Sequence, residues 1–112
     1  GALLNLVHNA SQVTPKGECV HVETAVSDKR LHVAIIDKGP GVPDKLKNKI
    51  FEPFFTTKTH GTGLGLAVVK SVVNAHNGLL SVSNMPEGGA CFSVSLPCVV
   101  NAQSSQTLTH VA

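Results

Sequence analysis

The stretch that most constrains the fold is Gly61-Thr62-Gly63-Leu64-Gly65, where three alternating glycines run directly into an apolar helical pattern beginning at Leu66. Glycine in or beside a helix costs about 0.5–1 kcal/mol relative to alanine. Two interpretations explain that cost. The glycines form a flexible hinge, or their bare N–H groups and the following helix N-terminus hold a phosphate.

Size and composition predict a single globular domain. The chain has 112 residues, a formal net charge of +2 and no apolar run of membrane-spanning length. This charge is too small to indicate a nucleic-acid partner. The three cysteines are widely spaced without a CxxC pair, which argues against a zinc site and favours a reducing cytoplasm. The six histidines also lack metal-ligand spacing. The opening residues enter a helix directly, so we interpret the chain as a fragment of a longer protein.

The first helical pattern carries two asparagines on one face. Asn5 and Asn9 are four residues apart, and asparagine is a poor helix former. A solvated helix edge explains them. Alternatively, the carboxamide oxygen of one of them completes the coordination of a Mg²⁺ ion already held by phosphates.

Two alternating strands follow and predict an antiparallel hairpin around the turn at 27–30. The second runs into Asp37, then Gly39, Gly41 and Val42. Asp37 is either a turn cap or a base contact, because a carboxylate accepts a hydrogen bond from the adenine amine and is repelled by the guanine carbonyl. The glycines would let the loop lie against the base.

A segment rich in phenylalanine precedes the glycines. It contains Phe51, Phe54 and Phe55 and lacks clear periodicity up to His60, after a short helix predicted at 44–50. The aromatic side chains are either core residues or part of a mobile lid. Beyond the glycine-led helix, two more strands are predicted at 79–84 and 90–96. The polar residues 98–112 are predicted to form a disordered tail after a domain at 1–97.

Together these motifs, in this order, resemble the ATP-binding catalytic domain of sensor histidine kinases, within the superfamily of gyrase, Hsp90 and MutL. The stretches 51–58 and 61–67 are similar to the nitrogen- and flagellar-regulation kinases. A Walker A loop is excluded because Leu66-Ala67 stands where Lys-Ser/Thr is needed, and a Rossmann fingerprint because no strand directly precedes the glycines.

The resemblance implies a Bergerat-type α/β sandwich: a mixed, largely antiparallel sheet with helices on one face. It implies ATP and Mg²⁺ as cofactors, with Asn9 on Mg²⁺, Asp37 on adenine, and Phe51, Phe54 and Phe55 in the lid and its partner contact. The remaining ATP-binding residues that it implies are Gly39, Gly41, Val42, Lys58, His60, Gly61, Thr62, Gly63, Leu64, Gly65 and Leu66. Many relatives carry Thr where Ala90 stands here.

The activity that the resemblance implies is transfer of the γ-phosphoryl group to a histidine on a separate dimerisation domain. Hydrolytic relatives carry a Glu where Asn5 stands, and an amide cannot act as a base, so slow hydrolysis is expected. The candidate catalytic residues that the resemblance implies are Asn5 and Asn9. The implied partners are that dimerisation domain in a homodimeric parent and a downstream response regulator, in a bacterial cytoplasmic setting. The alternatives are a slow ATPase, an anti-sigma-type serine kinase and a non-catalytic interaction domain.

Overall fold

The computed structural model describes residues 2–52, 65–97 and, for its backbone, 104–111. Within these ranges the chain forms two α-helices, five strands and one short 3₁₀ helix. In chain order they are α1 (Ala2–Val13), β1 (Cys19–Ser27), β2 (Arg30–Ile36), the 3₁₀ helix (Asp44–Leu46), α2 (Gly65–Ala75), β3 (Leu79–Asn84), β4 (Ala90–Pro97) and β5 (Ser104–Val111). Neither described helix is long and apolar enough to cross a membrane.

The predicted hairpin is present, and its turn has only two central residues. Ser27 pairs with Arg30, and Asp28 and Lys29 between them have φ angles of 51° and 61°. Positive φ at both central positions is typical of a type I′ turn, whose twist matches that of the flanking strands. The register that follows places Val22 opposite Ile35.

The five strands lie in the order β3-β4-β2-β1-β5, and all four described pairings are antiparallel. This order makes β4 the neighbour of β2, although they are far apart in the chain. Ile36 at the end of β2 pairs with Cys91 near the start of β4. The residue after β2, Asp37, therefore lies beside Ala90.

The core lies between one face of the sheet and the two helices. Leu6 and Ala10 of α1 and Val69 and Val73 of α2 are buried on the helical side. The sheet contributes Val20, Val33, Ile35, Ala90, Phe92 and Val94. Since strand residues alternate between faces, the intervening positions of β4 (Cys91, Ser93 and Ser95) are on the other face. The fold is the expected two-layer α/β sandwich with helices on one face.

Two local predictions were wrong in part. Residues 104–111 belong to β5, which pairs antiparallel with β1, rather than to a disordered tail. Thr and Val favour strands, and pairing covers an edge of β1 that would otherwise carry unsatisfied backbone groups. The helix predicted at 44–50 is a 3₁₀ turn over Asp44–Leu46 followed by further turns. Pro43 is at its N-cap position, without a side-chain capping hydrogen bond, and Asp44 is the acidic residue of its first turn.

Candidate functional site

The centre of the candidate site is the carboxylate of Asp37, which is only 3% exposed. Its Oδ1 accepts hydrogen bonds from the backbone N–H groups of Gly39 (2.9 Å) and Ala90 (3.0 Å). The Asp37 N–H donates in turn to the Ala90 carbonyl oxygen at 2.9 Å. Among the described residues, no hydrogen bond reaches Oδ2. Asp37 therefore caps the turn, which is one of the two alternatives that the sequence allows. Its second oxygen, Oδ2, remains able to accept a hydrogen bond from a ligand.

Gly89 allows the Asp37 turn to pack against the start of β4. It is buried with φ of +92°, and a Cβ at this position would collide with the carbonyl oxygen of Asp37. Its neighbour Gly88 has φ of +101°, but a Cβ there would meet nothing within 4 Å. Gly89 is not among the site residues that the sequence motifs indicate. The Gly88-Gly89 pair immediately before β4 was the available signal.

The loop after Asp37 makes close backbone contacts through its two glycines. A Cβ on Gly39 would lie 2.9 Å from Cβ of Val13, at the end of α1. A Cβ on Gly41, where φ is +80°, would lie 2.8 Å from Oδ1 of Asn84. The glycines therefore allow close approach to α1 and β3. Their contact with a base stays a prediction, as does that of Val42, which packs partly buried against the core.

Thr14 joins α1 to the same turn. Its side chain is 6% exposed, and its Oγ1 accepts a 3.0 Å hydrogen bond from the N–H of Lys38. The sequence motifs do not indicate this residue either, because a Thr followed by Pro15 is typical of an ordinary loop. The contact holds the end of α1 against the segment that follows β2.

The two asparagines lie on α1, and Asn9 is close to the start of α2. Nδ2 of Asn9 is 3.5 Å from the position that a Cβ of Gly65 would occupy. Asn9 is four residues before Val13, an axial rise of about 6 Å, so a single helix connects the Asn9 region with the Asp37 turn. Asn5 is half-buried one turn earlier, and Leu66 packs partly buried against the core.

The predicted lid is described only at its beginning. Phe51 packs edge-on against Phe92, with ring centroids 6.2 Å apart and an angle of 90° between the planes. For Phe51, this contact agrees with the core alternative left open above, and a partner contact stays a prediction. The other predicted residues of this region, Phe54, Phe55, Lys58, His60, Gly61, Thr62, Gly63 and Leu64, lie outside the described residues.

The donor set near Asn9 fits a Mg²⁺ ion that arrives with phosphates better than an independent metal site. No group of three or more His, Cys, Asp or Glu side chains that could hold a metal occurs in the described part of the chain. Asn9 offers one neutral carboxamide oxygen, and Mg²⁺ is commonly held by few protein ligands together with substrate phosphates.

The chain belongs to the family of histidine kinase-, DNA gyrase B- and HSP90-like ATPases, whose model matches residues 2–100. It is similar to AtoS, a signal transduction histidine-protein kinase of Escherichia coli (strain K12), with 42% identity over 107 residues. It is also 40% identical over 94 residues to sporulation kinase A of Bacillus subtilis (strain 168). The alignments cover 95% and 84% of this chain but only 17% and 16% of those kinases.

Solved structures give the same assignment. The mycobacterial sensor histidine kinase MprB superimposes with a TM-score of 0.78 at 36% identity, covering 86% of this chain and 67% of that one. Full-length ShkA in complex with AMPPNP gives 0.76 at 34% identity, covering 90% of this chain and 21% of that one. Within the family, the chain is the ATP-binding catalytic domain of a sensor histidine kinase.

The sensory kinase/phosphatase NtrB of Azospirillum brasilense is 38% identical to this chain, and the alignment covers 91% of this chain and 29% of NtrB. The nitrogen- or flagellar-regulation subtype stays a prediction, because kinases of other names match equally well.

Proposed function

We propose that this domain binds Mg-ATP and donates its γ-phosphoryl group to a histidine on a separate dimerisation domain of the same protein. The observation that supports the proposal most directly is the buried Asp37 carboxylate, which receives two backbone N–H groups on Oδ1 while Oδ2 keeps its accepting capacity. The turn that holds it packs against α1, the helix that also carries Asn9.

Asp37 would recognise the base. Its free oxygen accepts a hydrogen bond from the exocyclic amine of adenine, whereas guanine would present a carbonyl oxygen and repel it. Because Gly39 and Ala90 hold Oδ1 in place, the position of Oδ2 is also fixed before nucleotide binds. Preorganised acceptors of this kind raise affinity because less ordering is required on binding.

The polyphosphate would lie towards Asn9 and the start of α2. Asn9 would bind Mg²⁺, which neutralises phosphate charge, and the residues 61–66 would supply backbone N–H groups. Phosphoryl transfer depends mainly on positioning and charge neutralisation, so no covalent nucleophile is required in this domain. Asn5 offers no base for an attacking water, which favours transfer over hydrolysis.

The remaining partners belong to the whole protein. This chain spans less than one third of the length of the kinases AtoS, sporulation kinase A and NtrB. The acceptor histidine, a homodimeric parent, a response regulator that receives the phosphate, and a cytoplasmic location are therefore all part of the proposal.

Titration of the isolated domain with ATP, with and without Mg²⁺, tests the proposal. In Asp37→Asn, the Oδ1 acceptor can remain, but an amide N–H₂ replaces the oxygen that would face adenine. We expect at least a tenfold loss of affinity, which is about 1.4 kcal/mol. Asn9→Ala should lose affinity only when Mg²⁺ is present.

A matched control is Asn74→Ala, which changes an exposed asparagine on α2 and should leave both titrations unchanged. Unchanged ATP affinity in a folded Asp37→Asn variant would contradict the adenine contact. Fast ATP turnover by the isolated wild-type domain would contradict the role given to Asn5.

A further inference from the structure

Asn84, the last residue of β3, binds both backbone polar groups of one loop residue. Its Oδ1 accepts a 2.7 Å hydrogen bond from the N–H of Val42, and its Nδ2 donates at 2.8 Å to the carbonyl oxygen of Val42. The residues are 42 positions apart in the sequence. The orientation of the carboxamide is fixed chemically, since the Val42 N–H can only donate and its carbonyl can only accept.

This pair of bonds resembles one rung of a β-ladder in which a side chain replaces the neighbouring strand. Asn84 is exposed and is not part of the hydrophobic core. Its backbone pairs with Ala90 of β4, whereas the two hydrogen bonds of its side chain both go to Val42 and therefore hold the loop 39–42. That loop connects Asp37 with the 3₁₀ helix, and none of the strands in the described ranges pairs with it.

Gly41 makes the contact possible. The ideal Cβ position on this glycine is 2.8 Å from Oδ1 of Asn84 and 3.4 Å from the carbonyl oxygen of Gly89. The loop thus lies directly on the end of β3 and near the residue that packs on Asp37. Asn84 and Gly89 together hold the two sides of one turn-and-loop unit, from 37 to 42.

We propose that Asn84 is a positioning residue that fixes the loop 39–42 in its nucleotide-binding conformation, so that the base meets a preformed wall beside Asp37. The inference rests on the proposed function, because it assigns the loop to the base end of that site. Asn84 acts through Val42 and does not itself contact the nucleotide.

The expected effect follows from the fraction of molecules in which the loop is in place. Apparent affinity falls by the same factor as the population of the binding-competent loop. Loss of two solvent-exposed hydrogen bonds should reduce that population and weaken ATP binding about three- to tenfold.

The first test compares Asn84→Ala with Ser83→Ala, which alters the adjacent exposed residue of the same strand. At a temperature where both variants are folded, Asn84→Ala should weaken ATP and ADP binding by the same factor, and the ratio of affinities with and without Mg²⁺ should stay at the wild-type value. Ser83→Ala should bind as wild type. Equal affinity of Asn84→Ala and wild type would overturn the inference, as would a change in the Mg²⁺ ratio, which would place the effect at the phosphates.

The second test is a double-mutant cycle with Gly41→Ala. The added methyl group collides with the Asn84 side chain, and Asn84→Ala removes that collision, so the combined loss should be smaller than the product of the two single losses. If the two affinity losses simply multiply in the double variant, the inference is overturned.

Amide hydrogen exchange at Val42 without nucleotide should be faster in Asn84→Ala than in the wild type. Unchanged exchange would overturn the inference without reference to ATP. Absence of ATP binding by the wild type, with faster Val42 exchange in the variant, would instead reject the proposed function.

Discussion

The two ends of the proposed ATP site are built differently. At the base end, hydrogen bonds from three separate parts of the chain hold Asp37 and its loop. They come from Thr14 directly after α1, from Ala90 of β4 and from Asn84 of β3. At the phosphate end, Asn9 is placed beside Gly65 by the packing of α1 against α2.

This difference indicates a division of roles. Short hydrogen bonds to backbone groups fix the base end independently of ligand, which suits recognition of a rigid planar base. In the described part of the phosphate end, Asn9 lies at the contact between α1 and α2, so its position depends also on how these two helices pack. We therefore expect binding of the base to depend on the contacts around Asp37, and the following predictions either change these contacts or leave them intact.

The largest effect is expected from Gly89→Ala, which should disrupt the base end. The new Cβ collides with the Asp37 carbonyl oxygen, and φ is +92°. We expect roughly 2–4 kcal/mol of destabilisation and loss of measurable ATP binding. Chemical denaturation and ATP titration provide the measurement.

Gly88→Ala is the control for this change. It has the same kind of backbone strain, with φ of +101°, but an added Cβ meets nothing within 4 Å. It should cost about 1 kcal/mol and leave ATP affinity unchanged. Equal effects of the two substitutions would show that backbone strain alone matters and that the contact with Asp37 does not.

Thr14→Val should weaken the connection between the two ends. The substitution removes the acceptor for the Lys38 N–H in a site that is 6% exposed. We expect a loss of about 1–3 kcal/mol in unfolding free energy, because a donor loses its partner, and a reduction of ATP affinity both with and without Mg²⁺. Thr14→Ser keeps the hydroxyl and should remain close to wild type in both measurements. A Thr14→Val variant as stable as Thr14→Ser would contradict the role of this hydrogen bond.

Truncation after Pro97 should separate stability from binding. Removal of β5 exposes an edge of β1, so self-association should increase with protein concentration. The loss of stability should be about 1–2 kcal/mol, because water replaces part of the hydrogen bonding and less chain is ordered. ATP affinity should stay within about twofold of wild type, because β5 is at the edge of the sheet beyond β1, away from β2 and β4. Monomeric behaviour at all concentrations, checked by light scattering, would argue against β5 as an edge cover.

The smallest effect is expected from Asp44→Asn in the 3₁₀ helix. A 2.8 Å contact with Lys47 lowers the pKa of the Asp44 carboxyl below its usual 3.8, first through the hydrogen bond and then through the charge. A lowered folded-state pKa means that the stabilisation is present above the usual pKa and is lost as pH falls through the folded-state value. The carboxylate is exposed, so the unfolding midpoint at pH 7 and ATP affinity should barely change. A clear difference between pH 7 stabilities would contradict this.

Local sequence patterns determined the elements and several of their ends. Alternation in β4 predicted its buried face, because side chains two residues apart lie on the same face of a strand. The apolar stripes predicted that α1 and α2 are helices, but not which apolar side chains are buried: Leu4 of α1 and Val68 of α2 are exposed. The end of α2 also follows from local sequence, because Asn and Gly readily adopt the left-handed conformation that ends a helix: Asn77 has φ of 58°, and the Gly78 N–H donates to Val73 O at 2.8 Å. The motif order was sufficient to predict the family, and Asp37, Asn9 and Gly65 were named from it.

Tertiary structure alone decided which distant residues hold Asp37 and the loop that follows it. The roles of Gly89, Asn84 and Thr14 depend on contacts with residues far away in sequence, and no local periodicity encodes such pairing. The strand order places Ala90 beside Asp37, and β5 beside β1. The order of neighbouring residues determines which face of a strand or helix is apolar. Long-range hydrogen bonds depend instead on how the completed sheet and helices pack.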